Sequence, residues 1–146
     1  MINDSRTDIY NYLYNLFYGV VTENVYVMDE PQELTENDYS EGFIVIRVGD
    51  IYDEGEFSLE TYGTVRCYVS AYIPPMSRGR LDIAKYRVFE DGIMGVIKSA
   101  AQSVDGDYYV HEDNILSTDI ETIGNSDNVF FTFIKSFIVE IDNNSN

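Results

Sequence analysis

A single block near the middle of the chain constrains the architecture most. Tyr62-Gly-Thr-Val-Arg-Cys-Tyr-Val-Ser-Ala-Tyr-Ile73 has the β-branched and aromatic content of a strand, and it stops at Pro74-Pro75. Proline has no N–H to give to a ladder, so the strand ends there. A short basic connector, Met76-Ser-Arg-Gly-Arg80, follows, and apolar residues at helical spacing then run from Leu81 to about Val104. A strand that breaks on a proline pair and hands over to a long amphipathic helix requires a sheet with a helix laid across it.

The remaining segments extend that plan. Ile9, Leu13, Leu16, Phe17 and Val20 fall at helical spacing, predicting a helix from about Thr7 to Phe17. Ser5-x-x-Asp8 resembles a capping box at its start, and Gly19 suits its end. Val25-Tyr-Val-Met28 reads as a short strand, and Phe43-Ile-Val-Ile-Arg-Val48 as a strand too continuously apolar for an exposed face. Between them, 29–42 is a polar, acidic loop containing Pro31, long for a connection within a compact domain. Residues 49–61 form a second acidic segment, read as an extended hairpin arm. After the long helix, Tyr108-Tyr-Val-His111 is a short strand and 115–128 alternates weakly up to a Gly-Asn-Ser-Asp turn. Val129 to Ile141 is the longest strand, and 142–146 is expected to fray.

The expected order is therefore α-β-β-β-α-β-β. It describes an α+β fold: a mostly antiparallel sheet with two helices packed on one face and a long loop or hairpin arm, in one domain spanning 1–146. In the long helix, Leu81, Ala84, Val88, Phe89, Ile93, Val96, Ile97, Ala100 and Val104 trace the expected inner face. Gly92 and Gly95 weaken its middle; they mark a kink, a break into two helices, or a close approach to another backbone.

Charge limits the function. The chain carries 26 acids against nine bases, a net charge of −17, which argues against a general DNA-binding surface. It leaves a soluble acidic domain, a mimic of DNA, or a wall that DNA passes without sticking. Residues 28–62 hold eleven of the acids and one base, Arg47; the plainest account of such a run is a solvated face. Four of the nine bases, Arg78, Arg80, Lys85 and Arg87, crowd into ten positions. Ordinary helix-surface charge is one account of them. The other is a contact patch that pairs with the acidic loops of a neighbouring copy, through Glu33 and Glu36 in one loop and Asp53, Glu54 and Glu56 in the other.

Catalytic patterns are missing. The one histidine, His111, is expected in a surface loop, and the one cysteine, Cys67, lies in an apolar strand, where a buried small side chain is the natural role. Asp50-x-x-Asp53-Glu54-x-Glu56 is dense in carboxylates but lacks the ligand spacing of a calcium-binding EF-hand loop. No phosphate-binding glycine loop, nucleophile elbow or zinc motif occurs, so no catalytic, cofactor or metal residues are expected. No apolar run approaches membrane-spanning length and no signal peptide is visible, so a cytoplasmic origin is expected.

Taken together, the layout resembles the phage tail-terminator and head–tail connector family. The features that carry the resemblance are the helix at 7–17, the strand 25–28 leading through the Pro31 loop to 43–48, the acidic arm at 49–61, Ile73-Pro-Pro running into a helix, and the closing aromatic strand 129–141. The loop at 29–42, the stretch 105–128 and the two helix glycines depart from a minimal member. The resemblance implies a structural, non-enzymatic virion protein, assembled in the host cytoplasm. Copies would form a ring, a hexamer or dodecamer, joining portal, adaptor or tail proteins around a channel. DNA would slide past its carboxylates without specific binding. Two rival readings are an acidic decoy that mimics DNA and blocks a nucleic-acid enzyme, and a small ligand-binding domain with His111 and Cys67 in a pocket.

Overall fold

The structure, a computed structural model, describes residues 5–29, 31–49, 64–102, 108–122 and 129–141. Ile9, Leu13 and Phe17 recur every four residues and form the buried stripe of the first helix, α1 (Ser5–Phe17). Ser5 is already helical, so the helix starts two residues before the expected Thr7. Gly19, at φ 76°, turns the chain just past the end, and Val20 is exposed rather than part of the stripe.

Five strands follow, β1 (Val25–Val27), β2 (Phe43–Val48), β3 (Thr64–Ile73), β4 (Tyr108–Thr122) and β5 (Val129–Ile141), joined in the spatial order β1-β2-β3-β5-β4. Every pairing is antiparallel except β1 with β2, which run parallel with Val25 opposite Ile44. That exception explains the long connection at 29–42. Parallel neighbours need a crossover of a dozen or more residues, usually carrying a helix. The segment is accordingly not all loop: it contains a helix, α2 (Glu36–Glu41). Thr35 caps α2, its hydroxyl accepting from Asp38 N–H while the Asp38 carboxylate accepts from Thr35 N–H.

Alternation along β3 sends Val65, Cys67, Val69, Ala71 and Ile73 to one face, where they meet Ile44, Ile46, Phe133, Phe137 and Val139 from the neighbouring strands. Both long helices cover this face. α1 contributes Ile9, Leu13 and Phe17; α3 (Ile83–Ala101) contributes Phe89, Ile93, Ile97 and Ala100. The opposite face carries a smaller aromatic cluster at the end where β2 begins and β3 finishes. There Phe43 stacks on Tyr72 at 4.5 Å and meets Phe130 edge-on at 5.5 Å.

Three expectations are corrected. The expected short strand at 108–111 and the stretch after it form one strand, β4, whose register slips between Glu112 and Leu116. A slip of that kind interrupts alternation, so the segment reads as two weak pieces. Leu81, Ala84 and Val88 are exposed, not part of the inner face of α3: Leu81 precedes the helix, and within it the buried arc is the narrower row at 89, 93, 97 and 100. Finally, α3 is one continuous helix, so its glycines mark neither a kink nor a break.

The two glycines differ in kind. A Cβ on Gly92 would sit 2.2 Å from Cγ1 of Val21, in the turn that follows α1, whereas one on Gly95 meets nothing within 4 Å. Gly95→Ala is therefore expected to stabilise the fold by about 0.5–1 kcal/mol. Gly92→Ala is expected to destabilise it by about 1 kcal/mol or more, since Val21 must give way. Urea titration of both variants checks this. Equal gains at the two sites would show that α3 does not need its close approach to the turn.

Candidate interaction surface

One end of the sheet gathers the basic residues that the sequence singles out. β3 leaves there through Ile73, Pro74 and Pro75, and the connector that follows is tightly pinned. Met76 N–H donates to the Arg80 carbonyl at 2.7 Å, and Gly79 N–H donates to the Met76 carbonyl at 3.0 Å. Arg78 sits at the apex with φ 66° and ψ 23°, a left-handed conformation that an arginine rarely adopts. Asp82 then caps α3, its carboxylate accepting from Lys85 N–H at 3.1 Å.

The crossover brings α2 to the same end. Its C-terminus lies against α3, where the Lys85 ammonium donates to the Ser40 carbonyl at 3.3 Å and stands 3.6 Å from the Glu41 carboxylate. A cation at a helix C-terminus is favourably placed, so Lys85 ties α2 to α3 within one chain. Arg87 is two residues on, about 200° around the helix, and is exposed. The four clustered bases therefore split: Arg78, Arg80 and Arg87 face solvent, and Lys85 is half-buried and engaged.

Of the expected acidic partners, Glu33 and Glu36 are exposed; the acid that reaches the basic segment is Glu41, the last residue of α2, through Lys85. Asp53, Glu54, Glu56 and the arm that carries them lie outside the described residues.

The sequence reading missed the apolar part. Tyr39, Met76, Leu81, Ile83 and Val88 are exposed at this end, with Ile83 and Val88 each 57% accessible. They make up five of the ten large apolar side chains exposed among the described residues. Ile83 carries a legible signal, since it follows the capping residue Asp82 and stands out of phase with Phe89 and Ile93. Between α2 and α3 the surface dips into a hollow of about 340 Å³ lined by Val21, Glu41, Asp82, Ala84, Lys85, Val88 and Phe89.

Asp38 anchors α2 from beneath and is fully buried. Besides its cap bond, it accepts from the Tyr26 hydroxyl at 2.8 and 2.9 Å. Burial first, then the hydrogen bond to Asp38 and the charge of Asp38, push the Tyr26 hydroxyl from its usual 10 up to about 12. The raised value favours the neutral phenol in the folded state. Its contribution is complete below about pH 10 and is lost as pH rises through about 12. Alkaline titration of stability should therefore fall less steeply in Tyr26→Phe than in the parent; identical slopes would remove Tyr26 from the alkaline transition.

The other chemical candidates lie apart. Cys67 is buried in the helix-covered core, and His111 lies exposed on the opposite face, 2.9 Å from the Glu140 carboxylate. Neither lines the hollow at the sheet end or the larger groove of about 420 Å³ between α1 and α3, whose single charged residue is Asp91. Among the described residues, no three histidine, cysteine or acidic side chains come together as a metal site would require, and no helix is long and apolar enough to cross a membrane. No protein-family model matches the chain, and no curated protein matches it in sequence.

Proposed function

We propose that the protein is an assembly subunit of a phage neck or tail end, a connector or terminator whose copies close into a ring around a DNA channel. The observation that supports this reading best is the docking end of the sheet. On an acidic chain, this end presents three exposed arginines, Arg78, Arg80 and Arg87, beside exposed apolar side chains, a composition suited to a protein–protein contact. The order of elements supports it too: α1, the β1–β2 crossover, and β3 running through Pro74 and Pro75 into α3 follow the layout that suggested the family. In this reading the ring closes on its portal, adaptor or tail partner, and the acidic excess lines the path of the DNA.

The test is native mass by light scattering, with the protein alone and mixed with portal or tail complexes. Arg80→Glu with Arg87→Glu is expected to abolish ring formation, with the circular dichroism of the parent retained. Normal rings from the double variant would remove these arginines from the contact. Absence of any ring from the parent, with or without those partners, would overturn the connector reading itself.

A further inference from the structure

We infer that the docking end of the sheet takes an acidic segment of a partner protein, one that carries an apolar side chain among its carboxylates. The inference rests on reading this end as a protein contact and names the chemistry of what it contacts. Three observations carry it.

The first is uncompensated charge. Arg78, Arg80 and Arg87 are exposed, and none of the three guanidiniums is ion-paired among the described residues. Acids outnumber bases 26 to nine in this chain, yet even Glu90 and Asp91, one turn along α3 from Arg87, leave it unpaired. Lys85 differs, since Glu41 and the Ser40 carbonyl already engage it. A guanidinium holds a carboxylate through two parallel hydrogen bonds, so three of them on one surface select a partner that offers carboxylates.

The second is presentation. Two backbone hydrogen bonds close the loop at 76–80, and Arg78 is held at its apex with φ 66°, where glycine would sit without strain. Backbone strain maintained in this way clusters at contact sites. The arginines of the loop leave from a fixed backbone, which lowers the ordering cost of binding.

The third is the apolar surface beside the charges. Met76, Leu81, Ile83 and Val88 are exposed, and Val88 also lines the hollow of about 340 Å³ between α2 and α3, with Val21, Ala84 and Phe89. That recess suits an apolar side chain of the partner. These residues favour a protein over other anions. A phosphate backbone offers them nothing apolar to bury against, and a net charge of −17 opposes a long polyanion along its whole length. A short acidic segment meets the protein chiefly at the arginines.

The probe is a short synthetic peptide that alternates leucine and phenylalanine with aspartate and glutamate. Fluorescence anisotropy compares it with a counterpart carrying serine at every acidic position, with random-sequence duplex DNA, and with anionic phospholipid vesicles. The acidic peptide is expected to bind about tenfold or more tighter than its neutral counterpart, and high salt should erase the difference. Arg87→Glu should weaken it by about tenfold, and Lys98→Glu, an equal charge change in the last turn of α3, by less than about twofold. Arg78→Gly separates contact from folding. Its urea midpoint should stay at or above the parent's, because glycine is at ease at this φ, while peptide binding falls.

Equal binding of the two peptides, equal losses from Arg87→Glu and Lys98→Glu, tighter binding of the DNA or the vesicles, or self-association of the parent that excludes the peptide overturns the inference. Rings on a portal or tail complex without acidic-peptide binding retain the connector reading and discard this one. Arginine-dependent peptide binding by a protein that forms no ring, with or without those complexes, does the reverse.

Discussion

Gly42→Ala is expected to cost about 4 kcal/mol, because backbone strain and overpacking coincide at this position. Gly42 joins α2 to β2 at φ 86° and ψ 177°, a conformation essentially open only to glycine, and forcing another residue into it costs about 1–3 kcal/mol. The added Cβ also has no room. It would lie 2.6 Å from the Tyr72 carbonyl oxygen, 3.0 Å from the Phe89 ring and 3.0 Å from Pro74. The carbonyl cannot swing away, because Tyr72 is paired with Phe43 on one side and Thr132 on the other. Overpacking at such a point adds about 1–3 kcal/mol. Gly42 itself is held on both sides, its N–H donating to the Asp38 carbonyl and its carbonyl accepting from the Asn24 side chain. The midpoint of urea unfolding measures the loss. A change below about 1 kcal/mol would mean that the α2–β2 junction yields easily and that α2 is not rigidly seated.

Asp38→Ala is expected to cost about 3 kcal/mol. It removes the acceptor for Thr35 N–H and the acceptor for the Tyr26 hydroxyl in one step. Loss of a helix cap costs about 0.5–2 kcal/mol, and a buried donor left without a partner about 1–3 kcal/mol. Tyr26→Phe takes away only one of the two bonds and is expected to cost about 1 kcal/mol. Asp38→Asn, which still offers one carbonyl oxygen, should fall between them. Thermal or urea unfolding of the three variants gives the ranking. If Asp38→Ala cost no more than Tyr26→Phe, the carboxylate would not be what holds α2 in place.

Elements built from long apolar runs were legible in the sequence. The bounds of β2 and β5 follow from continuous β-branched and aromatic residues, and the end of α1 from its four-residue repeat followed by Gly19. α2 was not legible by periodicity. Its sequence, Glu-Asn-Asp-Tyr-Ser-Glu, has no apolar stripe, and its only signal is Thr35 with Asp38 three residues on, the spacing that Ser5 and Asp8 also share. Val88 misled because it keeps a helical spacing from Ala84 while pointing about 100° away from Phe89. The candidate site was half visible. The clustering of Arg78, Arg80 and Arg87 is a property of the chain. The arrival of α2 beside Lys85 depends on a parallel pairing of β1 with β2, and no local pattern announces it.

The position of β5 governs when the fold can exist at all. The latest strand in the chain lies inside the sheet, between β3 and β4, and Thr64 pairs with Glu140 across 76 intervening steps of sequence. Until β5 is present, β4 has no neighbour among the described strands, and the apolar face under α3 lacks Phe133, Phe137 and Val139. Folding therefore has a late, non-local closing step, with the slow rate and exposed intermediate surfaces that such topologies bring. During synthesis, the helices and the first three strands wait for β5 to emerge. A ribosome-stalled chain that ends before Val129 should remain as protease-sensitive as an unfolded one, however long it is held.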